Sequence, residues 1–298
     1  MRILVTGANG MLGIDLCNVL SDAGHIVTRT DINVRPGLET AAWVPLDITD
    51  AMAVQTAVES CKAEAVIHPA AFTNVDGCEK DPDTAFRINA LGTWCVAAAC
   101  AKLQIPITYI STDFVFDGTK TTPYTEFDPV NPINHYGASK LAGERIVERL
   151  CYRHFIVRTQ WLNGAYGRSF ASIMLDLAKT RTEWEVVGDQ IGSPTFTLDL
   201  ARTITALQSS SLYGTYHVAN RGECSWHTFA TTILQMSGIK GITLHPIPAS
   251  QWPSPTRRPA YSTLRRYSLE LQGRDDLRPW QEALEEFLKH RTDISGPG

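Results

Sequence analysis

The sequence RILVTGANGMLG, at residues 2–13, joins a short β-branched run to a stretch with helical periodicity. RILV predicts a buried strand, and the apolar residues that follow recur at helical spacing, at Leu12, Leu16, Val19 and Leu20. The turn between them holds Gly7, Gly10 and Gly13. Glycines there allow a tight turn and let the backbone approach a pyrophosphate, which the N-terminus of the helix attracts. Three glycines can also form an ordinary turn, but the strand–turn–helix context favours a dinucleotide-binding site.

Strand and helix alternate in this way through the first half of the chain. Further strands are predicted at HIVTRT ending at Thr30, AVIH at 65–68, ITYI at 107–110 and FIVR at 155–158. Helical stretches separate them, including a long helix whose apolar face carries Ile88, Leu91, Cys95, Val96, Ala99 and Leu103. Strands separated by helices imply a parallel sheet covered on both faces. We therefore predict an α/β fold, a Rossmann-type doubly wound parallel sheet with a smaller C-terminal α/β substrate-binding domain.

The alternation becomes less regular after Arg158. A predicted helix near 170–177, a strand-like TYHVAN at 215–220, a Pro-rich segment at 246–259 and a terminal helix that starts at Pro279 follow. We predict that residues 1–161 with 196–219 form the dinucleotide-binding domain. Residues 162–195 with 220–298 then form the smaller domain.

Composition excludes several functional classes. The 298 residues carry 27 Lys+Arg against 31 Asp+Glu, a formal charge of −4, which argues against a nucleic-acid partner because that requires a basic face. No apolar run approaches the roughly 18 residues that span a bilayer, and the N-terminal apolar core is too short for a signal peptide, so we expect a cytoplasmic protein with no membrane partner. The seven cysteines lack disulfide and zinc spacing and are interpreted as reduced core thiols. No metal site is predicted, and Glu282, Glu285 and Glu286 are interpreted as the solvated side of the last helix.

Two carboxylates follow predicted strands near the glycine turn. Asp31 closes the second strand, 18 positions beyond the last glycine of the turn, near the usual spacing of about 20 for an acid that accepts ribose hydroxyls. The alternative interpretation of Asp31 is a solvated carboxylate at the end of a strand. Arg29 and Arg35 lie nearby and are able to accept a 2′-phosphate, so the choice between NADH and NADPH stays open. Asp47, with Ile48, is placed to meet the adenine or, alternatively, caps the following helix.

A tyrosine and a lysine lie four residues apart in YGASK, at Tyr136 and Lys140. On a helix this spacing places both side chains on one face, where an ammonium group stabilises a phenolate and brings the phenol pKa, about 10 in water, closer to neutrality. The lysine is also able to hold the nicotinamide ribose. Such pairs occur by chance on many helices. The segment STD at 111–113 favours the catalytic interpretation, because it lies at the carboxyl edge of the sheet, where open α/β sheets bind ligands.

Together these features resemble the extended short-chain dehydrogenase/reductase superfamily and, within it, the dTDP-4-dehydrorhamnose reductase family. The motifs that carry the resemblance are AAFTNVDGCE from Ala70, STDFVFDG from Ser111, NHYGASKLAGE from Asn134, RTQWLNG from Arg158, DQIGSPT from Asp189 and RRPAYSTL from Arg257. They occur in the family's order from Met1 to the terminal helix, which makes the likeness far more specific than any single motif.

The resemblance implies roles for individual residues. Thr112 would orient the keto oxygen, Tyr136 would donate a proton, and Lys140 would anchor the cofactor and modify the tyrosine's pKa. Asp113 and Trp161 would line the sugar pocket, and Arg258 would bind the nucleotide diphosphate; Trp161 is otherwise core packing and Arg258 a surface ion pair. The residues that would contact NADPH or NADH are Gly7, Gly10, Met11, Leu12, Gly13, Asp31, Asp47, Ile48, Ala70, Ala71, Phe72, Tyr136 and Lys140.

Three residues depart from the family's usual pattern. Phe114 replaces a tyrosine, Gln160 a serine, and Asn163 another tyrosine. None of these changes removes a proposed catalytic group. They bear on sugar preference, because the loss of a phenol from a polar pocket changes which substrate hydroxyls find a partner.

The resemblance implies reduction of the 4-keto group of dTDP-4-dehydro-L-rhamnose by NAD(P)H to give dTDP-L-rhamnose, with the smaller domain binding the nucleotide sugar. Two alternatives remain at this point. One is another nucleotide-sugar reductase or an epimerase on the same scaffold. The other is a non-catalytic regulatory subunit like that of methionine adenosyltransferase, which binds a dinucleotide and acts through a partner protein. A homodimer is compatible with the resemblance.

Overall fold

The computed structural model describes residues 1–33 and 43–294, with the side chains of 291–294 excluded. The strands are β1 (Arg2–Val5), β2 (Ile26–Asp31), β3 (Trp43–Pro45), β4 (Ala65–His68), β5 (Ile107–Thr112), β6 (His154–Thr159), β7 (Leu162–Asn163), β8 (Glu183–Val187), β9 (Ile191–Gly192), β10 (Thr195–Phe196), β11 (Gly214–His217), β12 (Cys224–Ser225) and β13 (Thr243–Ile247). The helices are α1 (Met11–Asp22), α2 (Ala51–Ser60), α3 (Val75–Lys80), α4 (Pro82–Phe86), α5 (Thr93–Leu103), α6 (His135–Leu150), α7 (Phe170–Leu177), α8 (Thr197–Leu207), α9 (Trp226–Met236), α10 (Tyr267–Leu271) and α11 (Trp280–Ile294).

The central sheet has seven strands in the order β11-β6-β5-β4-β1-β2-β3, and every neighbouring pair is parallel. The predicted α/β, Rossmann-type doubly wound sheet is therefore confirmed. The chain order reverses between β1 and β4, and a reversal of this kind opens a crevice at the carboxyl ends of the strands. The five strands predicted in the first half are all present, with ends that shift by one or two residues.

Helices cover both faces of the sheet. On one face α1 and α8 pack Leu16, Leu20 and Ile204 against it. On the other face α2, α5 and α6 contribute Val58, Val96 and Val147. This two-sided burial explains why the strands carry runs of apolar residues rather than alternating ones.

The long helix predicted around Ile88–Leu103 is a regular α-helix only from Thr93. Its first residues belong to a π-helical turn at Arg87–Gly92 that follows α4, and the rest form α5. A π turn inserts an extra residue and changes the helical period locally. Leu91, inside the turn, is 49% exposed, so its predicted place on the apolar face is wrong, whereas Val96 and Ala99 after the turn are buried as predicted. The same turn buries the polar side chain of Asn89 completely.

The smaller C-terminal lobe has a hydrophobic cluster of its own. Its centre includes Trp184, Phe229, Trp280 and Phe287. The lobe also contains a parallel pair of β8 and β13 that the sequence analysis did not predict. Residues 267–277 pack against the central sheet and not within this lobe, since Leu269 and Leu277 belong to the cluster beneath that sheet.

The cysteines and the acidic residues of the last helix are placed as follows. All seven cysteines are free thiols, five of them buried. Glu282 and Glu285 are exposed, whereas Glu286 is half-buried and forms ion pairs with Arg278 and Arg202. Within residues 1–33 and 43–294, no helix is both long and apolar enough to cross a bilayer. The same residues contain no group of three or more His, Cys, Asp or Glu side chains arranged to hold a metal ion.

Candidate active site

A cavity of about 560 Å³ opens at the carboxyl edge of the sheet, where the strand order reverses. It is bounded by the glycine turn, the ends of β2, β4, β5 and β6, and the first turns of α6. The predicted site residues that line it are Gly7, Gly10, Met11, Leu12, Gly13, Asp31, Asp47, Ile48, Ala70, Ala71, Thr112, Asp113, Tyr136, Lys140 and Trp161. Phe72 and Arg258 do not line it. Folding therefore brings most of the predicted cofactor and substrate residues around one space.

The glycine turn has the form that a dinucleotide diphosphate requires. Gly7 has φ +59°, and a Cβ there would lie 2.8 Å from the backbone of Ala70. A Cβ at Gly13 would overlap the carbonyl oxygen of Gly7. The N-cap of α1 is Gly10, no side chain caps the helix, and its first turn holds no acidic residue. The free N–H groups and the helix dipole suit an anion, so these residues fit the cofactor implied by the sequence.

Asp31 lies at the rim of the cavity, at the end of β2. One carboxylate oxygen accepts a hydrogen bond from the backbone N–H of Asn9 (3.0 Å), which fixes the carboxylate beside the glycine turn. Arg29, by contrast, interacts with the thiol of Cys17 and does not line the cavity. Arg35 lies outside the described residues. Of these three residues, Asp31 is the one that the structure places in the cavity lining, and its contact with the adenosine ribose stays a prediction.

Asp47 also lines the cavity, at the end of β3. Its carboxylate accepts hydrogen bonds from the backbone N–H (2.9 Å) and hydroxyl (2.8 Å) of Thr49, and these bonds lower the pKa of Asp47. The alternative interpretation of Asp47 as a helix cap is wrong, because Asp50 caps α2 by accepting from two backbone N–H groups. Asp47 thus remains free of the helix and faces the cavity.

Thr112 of β5 and Tyr136 of α6 lie next to each other in the cavity lining, within hydrogen-bonding reach. The Thr112 hydroxyl donates to a carboxylate oxygen of Asp113 (3.1 Å) and accepts from the backbone N–H of Phe114 (3.2 Å). The Phe114 ring packs edge-on against the Tyr136 ring, with centroids 5.6 Å apart. The residue that departs from the family pattern at position 114 therefore orients the tyrosine instead of offering a hydroxyl to the pocket.

Burial controls the ionisation of these groups. Burial raises the pKa of Tyr136, and the charge of Asp113 raises it further. A hydrogen bond with Thr112 lowers this pKa but does not outweigh burial. The prediction that Lys140 brings the phenol's pKa closer to neutrality is therefore not met in this structure, since desolvation dominates. Burial also raises the pKa of Asp113 to about 7 and lowers that of Lys140 to about 7. Tyr136 thus stays protonated at neutral pH, as a proton donor must.

A buried ion pair joins α6 to two strands behind the site. Both carboxylate oxygens of Glu144 accept from the guanidinium of Arg158, at 2.9 and 2.7 Å, and one also accepts from the hydroxyl of Ser111. Both charged side chains are almost fully buried. No role was predicted for Glu144, and Arg158 was noted only as the end of a predicted strand and the first residue of the RTQWLNG motif. Charged residues inside an apolar strand and on a helix face were the signal that could have revealed this pair.

Trp161 has an uncommon backbone conformation, with φ +45°. Its carbonyl accepts from the backbone N–H of Thr195 (3.1 Å), and its indole stacks on Trp226 with centroids 3.5 Å apart. A Cβ at Gly192 would lie 2.6 Å from the indole, so that glycine makes room for it. A bulky residue held at positive φ costs about 1–3 kcal/mol, and such strain clusters at functional sites. Trp161 therefore both packs against the smaller lobe and lines the cavity.

The other two departures from the family pattern behave differently. Asn163 is fully buried, donates to the carbonyl of Trp161 (2.8 Å) and accepts from the backbone N–H of Ala171 (2.9 Å), so its role is structural. Gln160 is 2% exposed and lines the cavity, yet neither polar atom of its amide has a partner in the described part of the chain. A buried amide without a partner costs free energy that a substrate group is able to recover.

Two predicted residues lie outside the cavity lining. Arg258 forms an ion pair with Asp76 of α3 (3.1 Å), with both side chains about one-third exposed, as in the alternative interpretation of a surface pair. Phe72 donates its backbone N–H to the side chain of Asn89 (2.7 Å) at the π turn. With these contacts, neither the Arg258 side chain nor the Phe72 side chain reaches the cavity.

Comparisons with known proteins identify the family of this chain. The family model described as the RmlD substrate binding domain matches residues 1–292. The spore coat polysaccharide biosynthesis protein SpsK of Bacillus subtilis is 39% identical over 293 residues, 98% of each chain. A dTDP-4-dehydrorhamnose reductase of Sinorhizobium fredii is 36% identical over 95% of each chain. The crystal structure of a dTDP-4-dehydrorhamnose reductase from Bacillus anthracis in complex with NADP has a TM-score of 0.91 and 41% identity, covering 97% of this chain and 99% of that one.

Proposed function

This chain belongs to the RmlD substrate-binding domain family, and we propose that it is an NAD(P)H-dependent dTDP-4-dehydrorhamnose reductase. It reduces the 4-keto group of dTDP-4-dehydro-L-rhamnose to the alcohol of dTDP-L-rhamnose. The observation that carries the proposal is the convergence of a hydroxyl, a protonated phenol and a buried lysine, Thr112, Tyr136 and Lys140, on the cavity that the glycine turn bounds. The reductase names of the relatives favour this activity over an epimerase or a regulatory subunit.

The bound nicotinamide supplies the hydride that reduces the carbonyl carbon. Tyr136 donates its proton to the oxygen of that carbonyl as negative charge develops there, the role for which its raised pKa keeps it protonated. The Thr112 hydroxyl orients the same oxygen and shares its charge. A phenolate remains on Tyr136 after transfer. Lys140, four residues further along α6, stabilises that phenolate as long as its amine is protonated.

The remaining assignments concern binding. We assign the nucleotide sugar to the space between the sheet and the smaller lobe, where Asp113 and Trp161 contact the sugar. Arg258 takes the diphosphate by leaving Asp76, since both groups of that ion pair reach solvent. We retain residues 1–161 with 196–219 as the dinucleotide-binding domain and 162–195 with 220–298 as the nucleotide-sugar-binding domain.

The direct test is an assay of the purified chain with dTDP-4-dehydro-L-rhamnose, in which the absorbance of NADH and of NADPH is followed separately. We expect oxidation of the cofactor and one equivalent of dTDP-L-rhamnose. An epimerase would give a new sugar without net oxidation. A regulatory subunit would oxidise neither cofactor with any keto sugar and would co-purify with a synthetase. Either result would replace the proposal.

The amide of Gln160 is expected to contribute to substrate recognition. A hydroxyl of the hexose is able to satisfy both its donor and its acceptor, which are unpartnered and buried at the cavity. Gln160→Met keeps the size but removes both groups, and we expect kcat/KM to fall about 10-fold to 100-fold, the value of one or two hydrogen bonds to a buried group. The Kd of the cofactor should not change. Gln235→Met, at an exposed position of α9, is the matched control; an equal kcat/KM for both variants would contradict the assignment.

The proposal extends to the setting of the enzyme. We propose a cytoplasmic enzyme whose main partner is its nucleotide-sugar substrate, not nucleic acid, in keeping with the net charge of −4. Assembly as a homodimer is part of the proposal. The mass of the purified chain in solution, measured by light scattering, tests it.

A further inference from the structure

Lys140 is almost completely buried, at 2% exposure, and faces several ionisable groups. These groups are Glu144 from α6, Tyr109 from β5, His68 from β4 and Cys78 from α3. Tyr136 lies four residues before the lysine on α6, and both residues line the cavity. His68 is buried and neutral, because burial lowers its pKa to about 3, and burial raises the pKa of the Cys78 thiol to about 11. Burial opposes the charged form of the lysine, so something must stabilise the ammonium if it is to act on the tyrosine.

No carboxylate of the described residues forms an ion pair with Lys140. Glu144 lies one helical turn away, but both of its oxygens are bound by Arg158. This arrangement has an electrostatic consequence. The charge of Glu144 still favours the ammonium form of Lys140, but Arg158 takes its hydrogen bonds, so no carboxylate that the structure describes contacts the amine, and burial determines that the pKa of Lys140 falls.

The ring of Tyr109 takes the place of a carboxylate. The Nζ atom of Lys140 lies 4.1 Å from the centroid of this ring, which is itself fully buried. An aromatic face attracts a cation through its quadrupole and carries no net charge, so it stabilises the ammonium without neutralising it. In a desolvated site this attraction is at its strongest.

Tyr109 is held against α6 by two features. Its hydroxyl donates to the backbone carbonyl of Lys140 (3.2 Å), which keeps the ring beside the turn that carries the lysine. Gly143 faces the same hydroxyl, and a Cβ at this position would overlap it. The glycine in KLAGE therefore makes room for the ring under the helix.

We propose that Tyr109 is a positioning residue for catalysis, whose ring holds the Lys140 ammonium in its charged form and directed at Tyr136. This proposal rests on the proposed function, in which a charged Lys140 stabilises the phenolate. It adds that the Tyr109 ring is needed to keep Lys140 charged. When the negative face of the ring is lost, the lysine is expected to become neutral at lower pH.

The test replaces Tyr109 by phenylalanine and by its difluoro and trifluoro derivatives, which keep the shape of the ring but weaken its negative face. The titration of Lys140 is followed by the NMR shift of carbon-13 at its ε-carbon, assigned with Lys140→Met. We expect the midpoint to fall stepwise with fluorine content, by about one pH unit over the series, the size of a desolvated cation–π interaction. The basic limb of the kcat profile should move to lower pH in parallel, because the active lysine is the protonated one.

Tyr109→Leu, which removes the ring, should show the largest shift if it folds. Trifluorophenylalanine at Phe229, a fully buried ring of the smaller lobe, controls for the effect of fluorine on the fold. A Lys140 midpoint that stays constant across the fluorinated series would overturn the proposal. The NMR titration does not depend on turnover, so a normal shift in a protein without reductase activity would instead count against the proposed function.

Discussion

Replacement of Tyr136 by phenylalanine is expected to lower kcat by about 10²-fold to 10⁴-fold, the contribution of a positioned general acid. The phenol is the group that burial keeps protonated beside Thr112, and its pKa lies above the ordinary value. Phenylalanine preserves the packing of the ring against Phe114 while removing the proton. The measurement is cofactor oxidation with dTDP-4-dehydro-L-rhamnose, together with the Kd of NADPH from its fluorescence. That Kd should change by no more than a few-fold.

The chain offers a matched control for this variant. Tyr152, just after the end of α6, is 90% exposed, so Tyr152→Phe should leave kcat and KM unaltered. Full activity in Tyr136→Phe would show that the proton comes from elsewhere. Thr112 and Asp113 would then be the next donors to test, since Asp113 has a pKa raised to about 7.

Replacement of Arg158 by methionine is expected to lower the free energy of unfolding by about 3–5 kcal/mol, because it leaves the buried carboxylate of Glu144 without its partner. The side chains of this ion pair are 6% and 1% exposed, so water cannot replace the guanidinium. Urea denaturation of the variant and of the unchanged protein measures the difference in the free energy of unfolding.

Two further variants make this result specific. Lys102→Met removes the Lys102–Glu59 ion pair, whose side chains are 58% and 45% exposed, and should change the free energy of unfolding far less than Arg158→Met does. A double variant, Arg158→Met with Glu144→Leu, removes both charges of this ion pair. Much of the lost stability should therefore return. A loss in Arg158→Met no larger than that of Lys102→Met would contradict the argument. Cofactor binding is also informative, because the pair ties α6 to β5 and β6.

The fold was largely predictable because its signals are local. Buried strands of a parallel sheet are short apolar runs, and the helices between them repeat every three or four residues. The prediction failed where the local period changed, at the π turn of residues 87–92, because the burial of Asn89 and its bonds to Phe72 and Ser139 decide that geometry. It also missed the pairing of β8 with β13, whose residues lie about 60 positions apart.

The candidate site was predictable in part. Motif order identified the residues that line the cavity, including Trp161, because those residues follow strand ends or share one helix face. It did not identify what supports them. Trp226, Gly192 and Tyr109 contribute only through contacts with side chains that are distant in the chain.

The sequence by itself determined the parallel sheet, the glycine turn at its reversal point and the pairing of Tyr136 with Lys140 on one helix, since each depends on spacing within a few residues. Only the tertiary structure decided the electrical state of the site. Burial is the main cause of the raised pKa of Tyr136, and Arg158 takes the hydrogen bonds of the one carboxylate near Lys140 in the described part of the chain. The physical reason is that desolvation and charge pairing depend on which groups folding encloses together, and the order of residues along the chain does not specify this.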